Sequence, residues 1–152
     1  MILVIMSGVS GSGKTTRALE IQGKDTENVK IVSADDYFVG EDGVYRFDAD
    51  QLAQAHATCY SLARLYMHRG VQTIIVDNTS CSGWERDKWR EMAEEFGYTA
   101  MVEQTHGANL TDEDIALFAS RNRHGVTEDI IRRQYNNFKS GYEKAPGKVE
   151  DE

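Results

Sequence analysis

The chain has 152 residues, 40% hydrophobic and 28% charged, which suits one domain that buries roughly 70% of its unfolded surface without disulfide or zinc staples. Its longest apolar run, Met1–Met6, is far short of the roughly 20 residues that span a bilayer and follows no charged segment, which argues against a membrane span and a signal peptide. A net charge of −8 argues against a protein that coats DNA through a general positive field.

In chain order, Ile2–Met6 reads as a short buried strand ended by Gly8, and Lys14–Ile21 as a helix. Val29–Val32 is a second strand, followed by a turn-rich stretch from Val39 to Val44. Asp48, with Gln51 three residues on, opens a long helix that Gly70 closes; Leu52, Ala55, Cys59, Leu62 and Tyr66 recur along it at helical spacing. Thr73–Val76 is a third strand with Asp77 at its end. Ser82 and Glu85 form a capping box for a helix running to Phe96. Tyr98–Val102 is a fourth strand, Thr111 with Asp114 opens a helix to about Ser120, and Thr127 caps a last helix carrying Ile130, Ile131 and Tyr135. Residues 1–139 make one domain; residues 140–152 are polar and end in three acids, so a frayed tail is expected.

Alternation of short apolar strands with helices implies a parallel sheet covered on both faces, with ligands gathered outside the carboxyl ends of the strands. The unusual residues lie in those segments. Gly8-Val9-Ser10-Gly11-Ser12-Gly13-Lys14-Thr15 fits G-x-x-x-x-G-K-[ST], directly after a strand and before a helix. Glycines let successive amides turn inward around an anion, and the helix N-terminus adds partial positive charge. Gly8, Ser10, Gly11, Ser12, Gly13, Lys14, Thr15 and Thr16 are therefore the expected contacts for the phosphates of ATP. Lys14 would reach the β- and γ-phosphates, and Thr15 would ligate Mg²⁺. Asp77, at the end of an apolar strand, is the expected second support of that metal, through water.

The second strand runs into Ser33-Ala34-Asp35-Asp36-Tyr37-Phe38. A carboxylate there suits a general base that accepts a proton from an attacking hydroxyl, and Asp35, which leaves the strand first, is favoured over Asp36. Tyr37, Phe38, Tyr45, Phe47 and Trp84 read either as core packing or as a stacking surface for a base. Between Arg121 and Lys139 lie five Lys/Arg against two acids, a local balance of +3 that leaves −11 elsewhere. The short loop Arg121-Asn122-Arg123-His124-Gly125 has the composition of a lid over ATP, with Arg121 and Arg123 expected near the γ-phosphate. Arg132 and Arg133 read as solvent-facing. His56 reads as packed or capping, and the four histidines show no zinc spacing among themselves or with Cys59 and Cys81, which read as reduced thiols. The Thr105–Asn109 loop and Arg121 are candidates for contacting adenine.

These residues together resemble the P-loop polynucleotide kinases: bacteriophage 5′-hydroxyl kinases, their small phage relatives acting on nucleic acid, and the kinase-like domain of certain ubiquitin-ligase-binding proteins. The resemblance covers Ile2 to about Phe138. It rests on the phosphate loop, Asp35-Asp36-Tyr37, Tyr45-x-Phe47-Asp48, Val76-Asp77-Asn78-Thr79 with Trp84-Glu85, and Arg121-Asn122. It implies a three-layer α/β P-loop NTPase fold with a parallel sheet of four or five strands and a short helical lid. It also implies an ATP- and Mg²⁺-dependent kinase acting on a hydroxyl of nucleic acid, DNA favoured over RNA, in the cytoplasm (the host's, for a phage-encoded chain). Asp35 would be the base, Lys14, Arg121 and Arg123 would stabilise the transferred group, and Asp36, Tyr37, Phe38, Asn78, Thr79 and Trp84 would meet the acceptor. Two departures bear on the acceptor. Phe38 stands where the phage kinases carry an Arg that grips substrate phosphate, and the lid is one residue shorter between its arginines. The acceptor is thus divided between a 5′-hydroxyl and the hydroxymethyl group of a modified pyrimidine. An ATP-hydrolysing switch without acceptor and a kinase for a nucleoside or small metabolite stay open as alternatives.

Overall fold

The computed structural model describes residues 1–141. Four strands, β1 (Ile2–Ser7), β2 (Val29–Val32), β3 (Thr73–Val76) and β4 (Thr99–Gln104), form one sheet in the order β2-β3-β1-β4. Every pairing is parallel, so each crossover carries a helix. The helices are α1 (Lys14–Gln22), α2 (Leu52–His68), α3 (Gly83–Phe96), α4 (Asp112–Arg121) and α5 (Glu128–Ser140).

Alternation along the strands sorts the side chains into two layers of core. Leu3, Ile5, Ile74 and Val76 pack with Ala55, Cys59 and Ala63 of α2 and with Trp89 and Met92 of α3. The small residues at i, i+4, i+8 let α2 lie close to the sheet. Val4, Met6 and Ile75 face the other way and meet Ala18 of α1. A third cluster joins Val9 and Cys81 to Ile115, Phe118, Ile131 and Phe138, so α4 and α5 are seated on the loop that leaves β1. Ile131 and Phe138 are fully buried, each contributing about 1.5–3 kcal/mol by burial. This is the expected three-layer fold with a four-stranded parallel sheet.

Register aligns the carboxyl ends. Ile5 pairs with Val76 and Val76 with Val32, so the segments after β1, β2 and β3 emerge at one edge. Beyond shifts of one residue at the ends of β1, β4 and α4, the following local features differ from the sequence-based expectation. Asp48 caps a short 3₁₀ turn, Ala49–Gln51, rather than the long helix itself, which begins at Leu52. β4 extends to Gln104 because pairing with β1 continues to Ser7. Ala34–Phe38 is a 3₁₀ turn capped by the Ser33 hydroxyl. α1 runs one residue further, to Gln22. Both capping boxes form as expected, at Ser82/Glu85 and Thr111/Asp114. Cys59 and Cys81 are free and buried, and burial pushes each thiol up to about 11. The polar tail expected after residue 139 lies outside the described residues from residue 142 on.

Candidate active site

The loop between β1 and α1 is held from three sides. The Val9 amide donates to His106 Nε2 at 3.0 Å, and the Ser10 amide to Gln134 Oε1 at 2.9 Å. Ser12 and Thr105 share a hydroxyl hydrogen bond of 2.6 Å, and the Gly8 amide donates to Thr79 O at 2.9 Å. Gly11 has φ +78° and lies so close to α4 that a Cβ would stand 2.2 Å from Phe118 O. Glycine is required there by both conformation and space.

That scaffolding leaves the anion-binding donors free. No side chain caps α1, whose N-cap Gly13 is left-handed. The amides of Gly11, Gly13, Lys14, Thr15 and Thr16 have no acceptor among the described residues. Unpaired amides at a helix N-terminus are the donor set that fits a phosphate chain. Lys14 is only 8% exposed and donates to Val9 O at 2.8 Å, folded over the loop. Burial lowers its pKa, an effect opposed by the charges of Cys81, Asp77 and Asp35.

Asp77 follows β3, its amide bonded to Val32 O, and Thr15 Oγ1 donates to its Oδ2 at 2.7 Å. Burial raises the Asp77 pKa, with the Thr15 hydrogen bond and Lys14 opposing and Asp35 reinforcing. A hydroxyl and a buried carboxylate side by side are hard oxygen donors that fit a magnesium ion at the edge of the phosphate loop.

Asp35 sits on the 3₁₀ turn after β2. Its Oδ2 is 3.1 Å from His124 Nδ1, and Tyr45 OH donates to its Oδ1 at 3.4 Å. His124 stacks on Tyr45, with centroids 4.2 Å apart and planes at 18°. Tyr45 is pushed up to about 12, by burial and then by the Asp35 charge and hydrogen bond. Asp35 lies near enough for its charge to act on both Lys14 and Asp77. Asp36 makes no side-chain hydrogen bond among the described residues; desolvation raises its pKa, with Asp77 and Asp35 adding to the shift.

The segment expected as a lid is the loop between α4 and α5. Asn122 organises it: its Nδ2 donates to Ala119 O and Val126 O, and its Oδ1 accepts from the amides of His124 and Val126. Arg121 Nε donates to Gly11 O at 3.0 Å, with the guanidinium 5.0 Å from the Phe118 ring centroid. Arg123 is exposed and has no ion-pair or hydrogen-bond partner among the described residues. Arg132 binds Asp112 at 2.6 Å and Glu128 at 3.9 Å, which joins the two lid helices, while Arg133 is exposed as expected.

The acceptor-side expectations divide. Asn78 Oδ1 accepts from the Ala34 amide at 2.9 Å, which ties the end of β3 to the turn bearing Asp35. Thr79 binds Gly8 through its carbonyl. Tyr37 is exposed and donates to Gln51 Oε1 at 3.0 Å, and Trp84 is 66% exposed. Phe38 is a correction: the 3₁₀ turn rolls its ring inward, leaving it 6% exposed in the core against Tyr45 and Phe47. His56 is a second correction, since it is exposed on α2 rather than packed. Thr105 and His106, candidates for adenine, are engaged by the phosphate loop.

Several residues of the site carry no signal in the sequence. His106 and Gln134 hold loop amides but lie at sequence separations of 97 and 124 residues from their partners, with no local pattern. Arg86 is 1% exposed, and its guanidinium donates to Ser7 Oγ, Ser80 O, Cys81 O and Gly141 O. It anchors the β3–α3 loop, where Ser80 takes φ 42°. Helical spacing alone places Arg86 on α3 without marking it as buried.

This combination of a parallel sheet, a phosphate loop and flanking helices defines a P-loop protein with a kinase-like fold. Residues 3–144 match the AAA domain family AAA_33, and the chain belongs to it. NEDD4-binding protein 2 of Homo sapiens is 30% identical over 139 residues, 91% of this chain and 8% of that protein, so the chain spans about a twelfth of the relative's length. Among solved structures, the Pnkp1/Rnl/Hen1 RNA repair complex aligns with a TM-score of 0.70 at 15% identity, covering 91% of this chain and 44% of that one. A gluconokinase from Sinorhizobium meliloti aligns with a TM-score of 0.58 at 18% identity, covering 97% and 78%. Both likenesses are of fold. Among the described residues, no helix is long and apolar enough to cross a membrane.

Proposed function

We propose that the protein is an ATP-dependent kinase that transfers the γ-phosphate to a hydroxyl of a nucleic acid. The observation that carries the reading is Asp35, a half-exposed carboxylate held between Tyr45 and His124, with its charge acting on Lys14 of the phosphate loop. A nucleotide switch needs only to position water, whereas a carboxylate set across from the phosphate loop and beneath the lid suits deprotonation of a second substrate.

In this reading the free amides of Gly11 and Gly13–Thr16 bind the phosphates, and Lys14 leaves Val9 O to reach the terminal one. Thr15 and Asp77 would hold Mg²⁺, which supplies positive charge against that developing on the phosphoryl oxygens. Arg121 is already on the loop through Gly11 O, and Arg123 is the neighbouring cation with no partner to give up among the described residues. Both would close on the γ-phosphate as the lid shuts over the nucleotide and excludes water. Asp35 accepts the proton of the attacking hydroxyl and keeps it until product leaves. The resemblance to the polynucleotide kinases and the open aromatic surface at Trp84 support a nucleic acid as acceptor. With the bulky, buried Phe38 in place of an arginine, the phosphate contact of the phage kinases is not available from that position.

The test is an acceptor panel with γ-labelled ATP: 5′-hydroxyl DNA and RNA strands, duplex DNA containing hydroxymethyl-pyrimidines, free nucleosides and small polyols. Label is expected on a nucleic acid. Label on inorganic phosphate alone, unaffected by every acceptor, refutes the reading.

A further inference from the structure

A cleft of about 560 Å³ opens between α2 and α3, within the usual size range of a small-ligand site. One wall is a single face of α2, where Ala53 and Ala57 are small enough to leave space beside His56 and Tyr60. The other wall is the first two turns of α3, with Trp84, Lys88 and Trp89, and the floor is Asn78, Thr79 and Ser80.

Three features of this cleft call for a ligand with both a flat ring and a negative charge. Trp84 leaves a large ring 66% in water, where an ordinary surface keeps few tryptophans. Tyr60 and Trp89 lie 5.2 Å apart at 45°, which gives the cleft an aromatic interior. Lys88 holds its ammonium 5.3 Å from the Tyr60 ring centroid and has no carboxylate partner among the described residues. Glu85 also borders the cleft, but its carboxylate turns back to accept from the Ser82 amide at 2.9 Å and close the capping box. Lys88 is therefore a cation at the edge of an aromatic cleft with no acid of its own to neutralise it among the described residues.

The floor fixes how the cleft relates to the chemistry. Asn78 accepts from the Ala34 amide, one residue before Asp35, and Thr79 accepts from the Gly8 amide of the phosphate loop. The floor residues therefore border the cleft and tie together the two halves of the reaction centre. The cleft therefore shares its floor with the backbone that carries Asp35 and with the start of the phosphate loop.

We infer that the α2–α3 cleft is a nucleobase subsite for a single-stranded acceptor, with a base stacked on Trp84 and a strand phosphate taken by Lys88. The inference rests on the nucleic-acid kinase reading and adds to it where the strand lies. A paired base has both faces covered by its neighbours in the stack, so occupation requires an unpaired strand or end.

The test is binding of a labelled, 5′-hydroxyl, single-stranded octanucleotide, in DNA and RNA forms, followed by anisotropy with a non-hydrolysable ATP analogue present. Trp84→Ala is expected to weaken binding by at least about tenfold, in line with the loss of one base–aromatic stack, and Trp84→Phe to restore most of it. Lys88→Ala is expected to weaken binding and reduce its salt dependence by about one ion. Affinity for the ATP analogue, unchanged in all three, reports that they fold. Equal octanucleotide affinity in wild type and Trp84→Ala overturns the inference. Binding that depends on Trp84 without transfer of label to any hydroxyl keeps the cleft and refutes the kinase. Transfer with the same octanucleotide KM in wild type and Trp84→Ala keeps the kinase and refutes the cleft.

Discussion

His124 Nδ1 lies 3.1 Å from Asp35 Oδ2, so the loop between α4 and α5 touches the carboxylate proposed as the base. Both side chains are more than one-third exposed, and a pair of that kind is worth about 0–1 kcal/mol. The contact orients Asp35 without fixing the loop that carries His124. His124→Ala is therefore expected to lower turnover by no more than about fivefold. A hundredfold loss in steady-state rate would give His124 a direct part in the chemistry and contradict this assignment.

Asp35→Asn removes the proton acceptor and leaves the phosphate loop alone. Turnover with the nucleic-acid acceptor is expected to fall by at least about a hundredfold, with ATP affinity nearly unchanged. Single-turnover kinetics beside equilibrium nucleotide binding separates the two effects. Equal turnover in the variant sinks the assignment.

Gly11→Ala meets two penalties: a positive φ and an approach of 2.2 Å to Phe118 O. Gly43 has φ +74° with nothing near its Cβ position, so Gly43→Ala isolates the first penalty. Strain of about 1–3 kcal/mol at Gly11 lowers Tm by roughly 2–4 °C per kcal/mol for a domain of this size. The expected result is a lower Tm for Gly11→Ala than for Gly43→Ala, with nucleotide affinity lost only in the former. Calorimetry and nucleotide titration read both.

His106 links the phosphate loop to pH. Its Nδ1–H donates to Gly107 O, so its Nε2 is the acceptor for the Val9 amide, and the ring must be neutral. Burial lowers its pKa from 6.5, Lys14 lowers it further, and the Gly107 hydrogen bond and Asp114 oppose. The unfolded chain then binds more protons than the folded one between the lowered value and 6.5. The His106 contribution to stability is present above 6.5 and is lost as pH falls through the lowered value. His106→Gln, whose amide oxygen accepts the same hydrogen bond without titrating, is expected to flatten the dependence of Tm on pH below 6.5. An unchanged slope would remove His106 from the linkage.

The sequence made legible what depends on short-range chemistry. The phosphate loop is a contiguous string whose glycines and lysine act through local backbone geometry, and Asp77 follows β3 where an apolar run meets a polar turn. The capping boxes at Ser82/Glu85 and Thr111/Asp114 are likewise closed within three residues. What stayed hidden depends on long-range packing. Phe38 is expected at the acceptor because it follows Asp35-Asp36-Tyr37, but a 3₁₀ turn after β2 rolls it into the core. Arg86 reads as one more charge on a polar helix until the tip of β1 and Gly141 are brought around it. The cleft is hidden for the same reason: Tyr60 on α2 and Trp89 on α3 meet across it only once both helices lie on the sheet. His56 shares that wall, and helical spacing on α2 does not show that it opens onto the cleft.

The most direct measurement of the central claim is a crystal structure with Mg²⁺, a non-hydrolysable ATP analogue and the lid shut. An Asp35 oxygen is expected about 5 Å from the γ-phosphorus, with room for one hydroxyl that is about 3–3.5 Å from phosphorus and within hydrogen-bond reach of the carboxylate. Asp35 turned to bulk solvent, with another group or none between it and the phosphate, would contradict the claim.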